Sequence, residues 1–222
     1  MPATAASDEL AASEGKDIMK ERRNFDAAAA LWDEEPRRLK LSQDIAAAIK
    51  VHVPVSAQWD AMDYGCGTGL VTLQLAPHLG TILGVDSSQG MLDRLATKVS
   101  ELEMTNVAAL RCNLEQGELP GRCFDLITSA MTFHHIPEPL QLLKSLHSLL
   151  KSEGWIALAD LETEDGSFHD DPTGVFHHGF SRDMMMRLLE SSGFQNINIA
   201  TIATVIKGER SFPVFLASAM AA

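Results

Sequence analysis

Positive charge is in short supply in this chain: 18 Lys and Arg stand against 30 Asp and Glu, a formal net charge of −12. Phosphate backbones are bound by a basic face. Here the Lys and Arg residues are scattered in ones and twos, so no nucleic-acid partner is expected. Cysteine is equally scarce. The three present, Cys66, Cys112 and Cys123, are widely separated. They match no zinc spacing and no disulfide framework, which favours a reduced, cytoplasmic setting. Apolar runs of the roughly 18–20 residues needed to span a bilayer are absent, so no membrane span is expected. Residues 1–15 are small, polar and acidic with no Lys or Arg. They carry neither a secretory nor a transit pattern and read as a disordered tail. The remainder is ordinary globular material, 45% hydrophobic and 22% charged over 222 residues, long enough to bury a substantial core as one domain.

Two helices are expected first. One covers residues 17–32, with Ile18, Phe25, Ala29 and Trp32 at near-helical spacing. The other covers residues 36–51, opened by Pro36, lined by Leu41, Ile45, Ala48 and Ile49, and closed by Pro54. Strand patterns then appear at 59–64, 81–86, 107–112, 124–130 and 155–161, with helical patterns at 70–76, 89–102 and 138–150. Such alternation implies a parallel sheet covered on both faces. The end of the chain breaks the rhythm. A helix over 182–191, capped by Ser181 and stopped at Gly193, leads to apolar runs at 194–206 and 212–220. Only Lys207-Gly208-Glu209-Arg210 joins these runs, so they must pair antiparallel. The expected fold class is therefore α/β: a doubly wound, seven-stranded, mostly parallel Rossmann-like sheet with a C-terminal antiparallel hairpin and N-terminal lid helices. In domain terms, the tail at 1–15 precedes one domain at 16–222, with helices at 16–53 covering a core at 57–222.

The densest chemical signal is Asp63-Tyr64-Gly65-Cys66-Gly67-Thr68-Gly69, between the first strand and the next helix. Alternating glycines let the backbone turn sharply and approach a ligand closely, and the helix start favours a negatively charged group. A dinucleotide fingerprint would need glycine where Leu70 stands, and Gly-Lys-Ser/Thr occurs nowhere. Asp86 ends the second strand, 21 residues beyond Gly65, where an acidic group accepts hydrogen bonds from ribose hydroxyls. The third strand ends in Cys112-Asn113-Leu114. The fourth ends in Ser129-Ala130-Met131, and Thr132-Phe133-His134-His135 come next.

This set, with Gly84-Val85-Asp86, Cys123-Phe124-Asp125-Leu126-Ile127 and Phe133-His134-His135-Ile136, resembles class I S-adenosylmethionine-dependent methyltransferases. The similarity spans about residues 25–220 and is closest to the small-molecule branch of quinone biosynthesis. It implies S-adenosylmethionine as cofactor, held by Asp63, Gly65, Cys66, Gly67, Gly69, Asp86, Ser87, Met91, Asn113, Leu114, Ser129 and Ala130. Within that set it puts the methionine end on Asp63, Gly65 and Ser129, the ribose on Asp86, and the adenine near Asn113 and Leu114. The family more often has Asp where Asn113 stands; an amide also offers the adenine amino group an acceptor.

The cofactor's sulfonium already activates its methyl group. Positioning then supplies up to roughly 7–11 kcal/mol, and a general base, where needed, about 10²- to 10⁴-fold. Candidate bases are His134, His135 and, from the pair His177-His178 after the fifth strand, His178. Phe25, Trp32, Arg37 and Arg38 are candidate acceptor contacts. A metal held by these histidines with Asp160, Glu162, His169 or Asp170 lacks tight ligand spacing, and none is expected. Plainer readings stand beside each: Asp86 as a helix cap, the histidines as packed side chains, the arginines as solvated charges. The acceptor is expected to be a small molecule. Nothing in the sequence separates O-, N- and C-methylation or fixes the oligomeric state. The rivals are a non-catalytic cofactor-binding partner protein and a nicotinamide oxidoreductase.

Overall fold

The computed structural model describes residues 23–222. The expected tail at 1–15 and the first residues of the helix at 17–32, Ile18 among them, lie outside the described residues. The described chain opens with α1 (Phe25–Ala28), which tightens into a 3-10 helix (Ala29–Glu34). α2 (Pro36–His52) starts at its proline, as expected; the Glu35 side chain caps it by accepting from the Arg37 N–H.

Seven strands of the described residues form one sheet: β1 (Asp60–Tyr64), β2 (Thr81–Asp86), β3 (Val107–Arg111), β4 (Phe124–Ala130), β5 (Leu150–Leu161), β6 (Phe194–Lys207) and β7 (Arg210–Ala221). Their order is β3-β2-β1-β4-β5-β7-β6. The first five are parallel, while β7 runs antiparallel to both β5 and β6. This is the expected doubly wound sheet with a terminal hairpin. β5 begins at Leu150, earlier than its Trp155 signal, because α5 (Pro139–Ser148) stops short and the chain enters the sheet beside Phe124.

Period-2 alternation divides each central strand between two cores. Ala61, Ile82, Leu126 and Ala157 face α2 and α3 (Thr72–Leu75). Met62, Val85, Ile127 and Ile156 face α5 and α6 (Arg182–Glu190). α4 (Gln89–Glu101) packs Leu92 and Leu95 beside Cys66. Gly84 makes that approach possible, since a Cβ there would sit 2.7 Å from Leu95 Cδ2. Contrary to expectation, α2 is more than a cover over the site. Ile45, Ala46 and Ile49 are fully buried in the core, and only its first turns reach the site.

Candidate functional site

In a doubly wound sheet the ligand crevice lies beyond the carboxyl ends of the strands, where the strand order reverses beside β1. A cavity of about 470 Å³ opens there. At its floor the glycine loop turns through three left-handed residues, Gly65 (φ +68°), Gly67 (+54°) and Gly69 (+82°). The Gly65 and Cys66 N–H groups donate to the Val85 carbonyl at 2.8 and 3.1 Å, tying the loop to β2. The Gly67 N–H donates to Asp86 Oδ2 and the Ser88 N–H to Asp86 Oδ1, both at 2.9 Å. Asp86 thus orders the loop and the start of α4 while still lining the cavity. Burial pushes its carboxyl above the ordinary range, against the pull of those backbone donors. A Cβ on Gly67 would meet nothing closer than Met91 Sδ at 4.0 Å, so the loop leaves an open backbone cradle.

Asp63 lies beneath the cradle, 2% exposed. The Thr72 hydroxyl donates to its Oδ2 at 2.5 Å and the Thr128 hydroxyl to its Oδ1 at 2.8 Å. Burial pushes its pKa up to about 6, only partly offset by the threonines; the Asp86 charge adds to the rise. Cys66 is buried, its thiol raised well above the ordinary value by burial and by both aspartates, as suits a packed residue and not a reactive one.

The opposite wall is histidine-rich. Thr132 leads into a single turn, Phe133–His135. The His134 Nδ1 is 2.7 Å from Asp160 Oδ1, and its backbone N–H donates to Asp160 Oδ2 at 3.2 Å. Burial by itself would raise the Asp160 carboxyl, yet the His134 charge and the hydrogen bonds it accepts bring it below the usual range. His135 Nδ1 lies 2.7 Å from the Gly174 carbonyl. Its pKa falls to about 4, through burial first and the His134 charge second. His169 packs against both rings, with centroids at 4.8 and 5.5 Å. Burial and these two neighbours lower its pKa to about 3. The Phe176 and His177 N–H groups donate to the His134 carbonyl, strapping residues 174–178 over the turn.

The roof is N-terminal. Ser88 Oγ and the Gly90 N–H donate to Asp26 Oδ1 at 2.6 and 2.7 Å, pinning α1 to α4. Thr68 donates to Asp33, which also pairs with Lys98 at 2.8 Å. Phe25 packs edge-on to His135 and Trp32, and the Arg38 guanidinium lies 3.9 Å from the Trp32 ring.

Of the sequence-predicted site residues, Asp63, Gly65, Cys66, Gly67, Asp86, Ser87, Met91, Asn113, Ala130, His134, His135, Phe25, Trp32, Arg37 and Arg38 all line this cavity. Gly69, Leu114, Ser129 and His178 do not. A Cβ on Gly69 would lie 2.4 Å from Leu95 Cδ1, so that glycine serves helix packing. Leu114 is turned into the core among the residues facing α5. Strand alternation buries Ser129, whose hydroxyl has no hydrogen-bond partner among the described residues. His178 is half exposed and stands 3.4 Å from Glu164. His169, Thr132, Met131 and Lys207 line the wall without having been predicted to. In the sequence His169 figures only in the metal set that lacks tight ligand spacing, and Lys207 reads as part of a turn.

The sheet order, terminal hairpin, glycine cradle and strand-end aspartate together define a class I methyltransferase fold. Comparisons with known proteins agree. Residues 61–154 match the methyltransferase domain family. A relative from Schizosaccharomyces pombe named as an uncharacterized methyltransferase is 30% identical over 153 residues, 62% of this chain and 54% of that protein. A ubiquinone biosynthesis O-methyltransferase of Coxiella burnetii is 31% identical over 93 residues, 42% of this chain and 39% of that one. The matched segments thus span about half or less of these curated relatives. Among solved structures, a putative methyltransferase of Haloferax volcanii in complex with the Trm112 activator superposes with a TM-score of 0.74 at 17% identity, covering 90% of this chain and 98% of that one. Residues 61–154 thus carry a methyltransferase domain, on the fold of the class I S-adenosylmethionine-dependent methyltransferases.

Proposed function

We propose that this chain transfers a methyl group from S-adenosylmethionine to a small-molecule acceptor. The observation that carries the reading is one cavity lined both by the Gly65–Gly67 cradle with Asp86 and by His134, which Asp160 holds from behind. The cradle suits the cofactor because the open face at Gly67 lets a ligand approach the backbone closely, beside the Asp86 carboxylate as an acceptor. In this reading Asp86 accepts from the ribose hydroxyls, Asn113 meets the adenine edge, and the charge of Asp63 favours the methionine ammonium. When bound, the cofactor supplies an already activated, electrophilic methyl group.

The rest falls to the chain's own side chains. Phe25 and Trp32 exclude water from above, held down by Asp26 and Asp33. His134 receives the acceptor proton on Nε2, because Nδ1 is held by Asp160, which also steadies the positive ring that forms. The net charge of −12 and the quinone-pathway name of one relative support a small molecule over a nucleic acid. Among the described residues no helix is long and apolar enough to cross a membrane.

Calorimetric titration with S-adenosylhomocysteine, then a labelled-methyl screen across quinones, phenols, amines and carboxylates, tests the reading. Micromolar binding and transfer to one of these classes are expected. A folded protein that binds no S-adenosylhomocysteine would overturn it.

A further inference from the structure

Three imidazoles meet on one wall of the cavity, and the proposed reaction uses only one of them. A ring nitrogen from each of His134, His135 and His169 lies within 4.8 Å of the other two. Asp160 holds Nδ1 of His134, and the Gly174 carbonyl holds Nδ1 of His135. These contacts leave Nε2 as the remaining nitrogen of each ring. Nε2 of His169 is buried with no hydrogen-bond partner among the described residues. A buried polar atom left unpaired costs stability and needs an explanation. A ring nitrogen that donates to a carbonyl leaves the lone pair on the other nitrogen, as in His135 with Gly174. Metal-binding histidines are ordinarily buttressed in this way, with the second ring nitrogen donating to a carboxylate or a carbonyl.

We propose that His134, His135 and His169 form a three-imidazole site for a borderline divalent transition-metal ion of the Zn²⁺ type, its remaining position open to the cavity. A donor set of nitrogen atoms selects Zn²⁺, Co²⁺ or Ni²⁺ over Mg²⁺ and Ca²⁺, which require oxygen. Zn–N bonds of about 2.0–2.1 Å bring tetrahedral ligand nitrogens about 3.4 Å apart. The cluster therefore contracts modestly on binding. His169 can supply the movement, because it lies outside any helix or strand. The site itself stands on the imidazole geometry; only its use in the reaction rests on the methyltransferase reading. There the ion would occupy Nε2 of His134 and take over its task. An acceptor hydroxyl ligating the ion gives up its proton to solvent on binding and presents an oxygen anion to the methyl group.

The test uses untagged full-length protein stripped with chelator and titrated with Co²⁺ and Zn²⁺. One ion per chain is expected, with the intense visible absorption of tetrahedral Co²⁺ that Zn²⁺ then displaces. His169→Ala should weaken binding at least 100-fold and abolish the absorption. Asp160→Asn should weaken it about 10- to 100-fold, while His178→Ala should bind as the unaltered chain does. If His169→Ala fails to fold, His169→Gln reads the same loss. A folded chain that takes up no Co²⁺, or a His169 variant that binds it undiminished, overturns the site. S-adenosylhomocysteine binding measured on the same sample separates the two claims: its absence with Co²⁺ uptake intact defeats the methyltransferase reading alone.

Discussion

Asp63→Asn should make this protein more stable and worse at holding its cofactor. Asp63 is buried, with one threonine hydroxyl on each carboxylate oxygen. Asparagine keeps both contacts: its oxygen accepts from one threonine, and its amide donates to the other, whose hydroxyl can rotate to accept. What disappears is the cost of a buried charge. A carboxyl at 3.8 in the unfolded chain and about 6 in the folded one penalises the native state at pH 7 by up to about 3 kcal/mol. Allowing for relaxation, the gain should be about 1–3 kcal/mol, and each kcal/mol raises Tm by roughly 2–4 °C at this size. The sign comes from the raised pKa. The stability contributed by protonated Asp63 is fully present below 3.8 and is lost as pH rises through about 6. The difference between variant and parent should therefore be near zero at pH 4 and level off above pH 7. Denaturant unfolding across pH 4–8 measures it, beside calorimetry with S-adenosylhomocysteine, which should show weaker binding. A variant less stable at pH 7, or a gain independent of pH, would refute this account of the buried aspartate.

Other changes separate the parts of the site. Asp86→Ala removes the acceptor from the Gly67 and Ser88 N–H groups and should weaken S-adenosylhomocysteine by about 1–3 kcal/mol, roughly 5- to 150-fold; unchanged affinity in calorimetry would remove the ribose assignment. Gly69→Ala puts a methyl 2.4 Å from Leu95 Cδ1 at φ +82° and should cost about 1–3 kcal/mol in urea unfolding. Asp160→Asn, measured without added metal, should lower kcat by about 10²-fold or more through the loss of charge behind His134 while leaving cofactor affinity unchanged. His135 and His169 titrate at about 4 and 3 when folded, below the ordinary 6.5. They contribute stability above pH 6.5 that is lost as pH falls toward 4, so His169→Leu should shift the acid-unfolding midpoint downward, read by circular dichroism.

The glycine loop, Asp86 and the terminal hairpin were legible because each is set by local chain geometry. Alternating glycines, a strand-terminal acid and a four-residue connection keep the same meaning wherever they occur in the chain. Gly69 and Ser129 misled for a related reason: sequence marks a residue's place on an element but not which side of the sheet it faces. The Asp26–Ser88 and Asp33–Thr68 contacts were invisible, since each joins partners 35 or more residues apart through side chains with no periodic signature.

The sequence by itself determined the alternation of elements, the antiparallel ending and the glycine cradle, all written in spacings of a few residues. Tertiary structure alone decided the histidine wall. His134, His135, Asp160 and His169 stand up to 35 positions apart in the chain, and no periodicity links them. They converge because β4 and β5 are parallel neighbours whose carboxyl ends emerge side by side, and because residues 174–178 are strapped back over the histidine turn by hydrogen bonds to the His134 carbonyl.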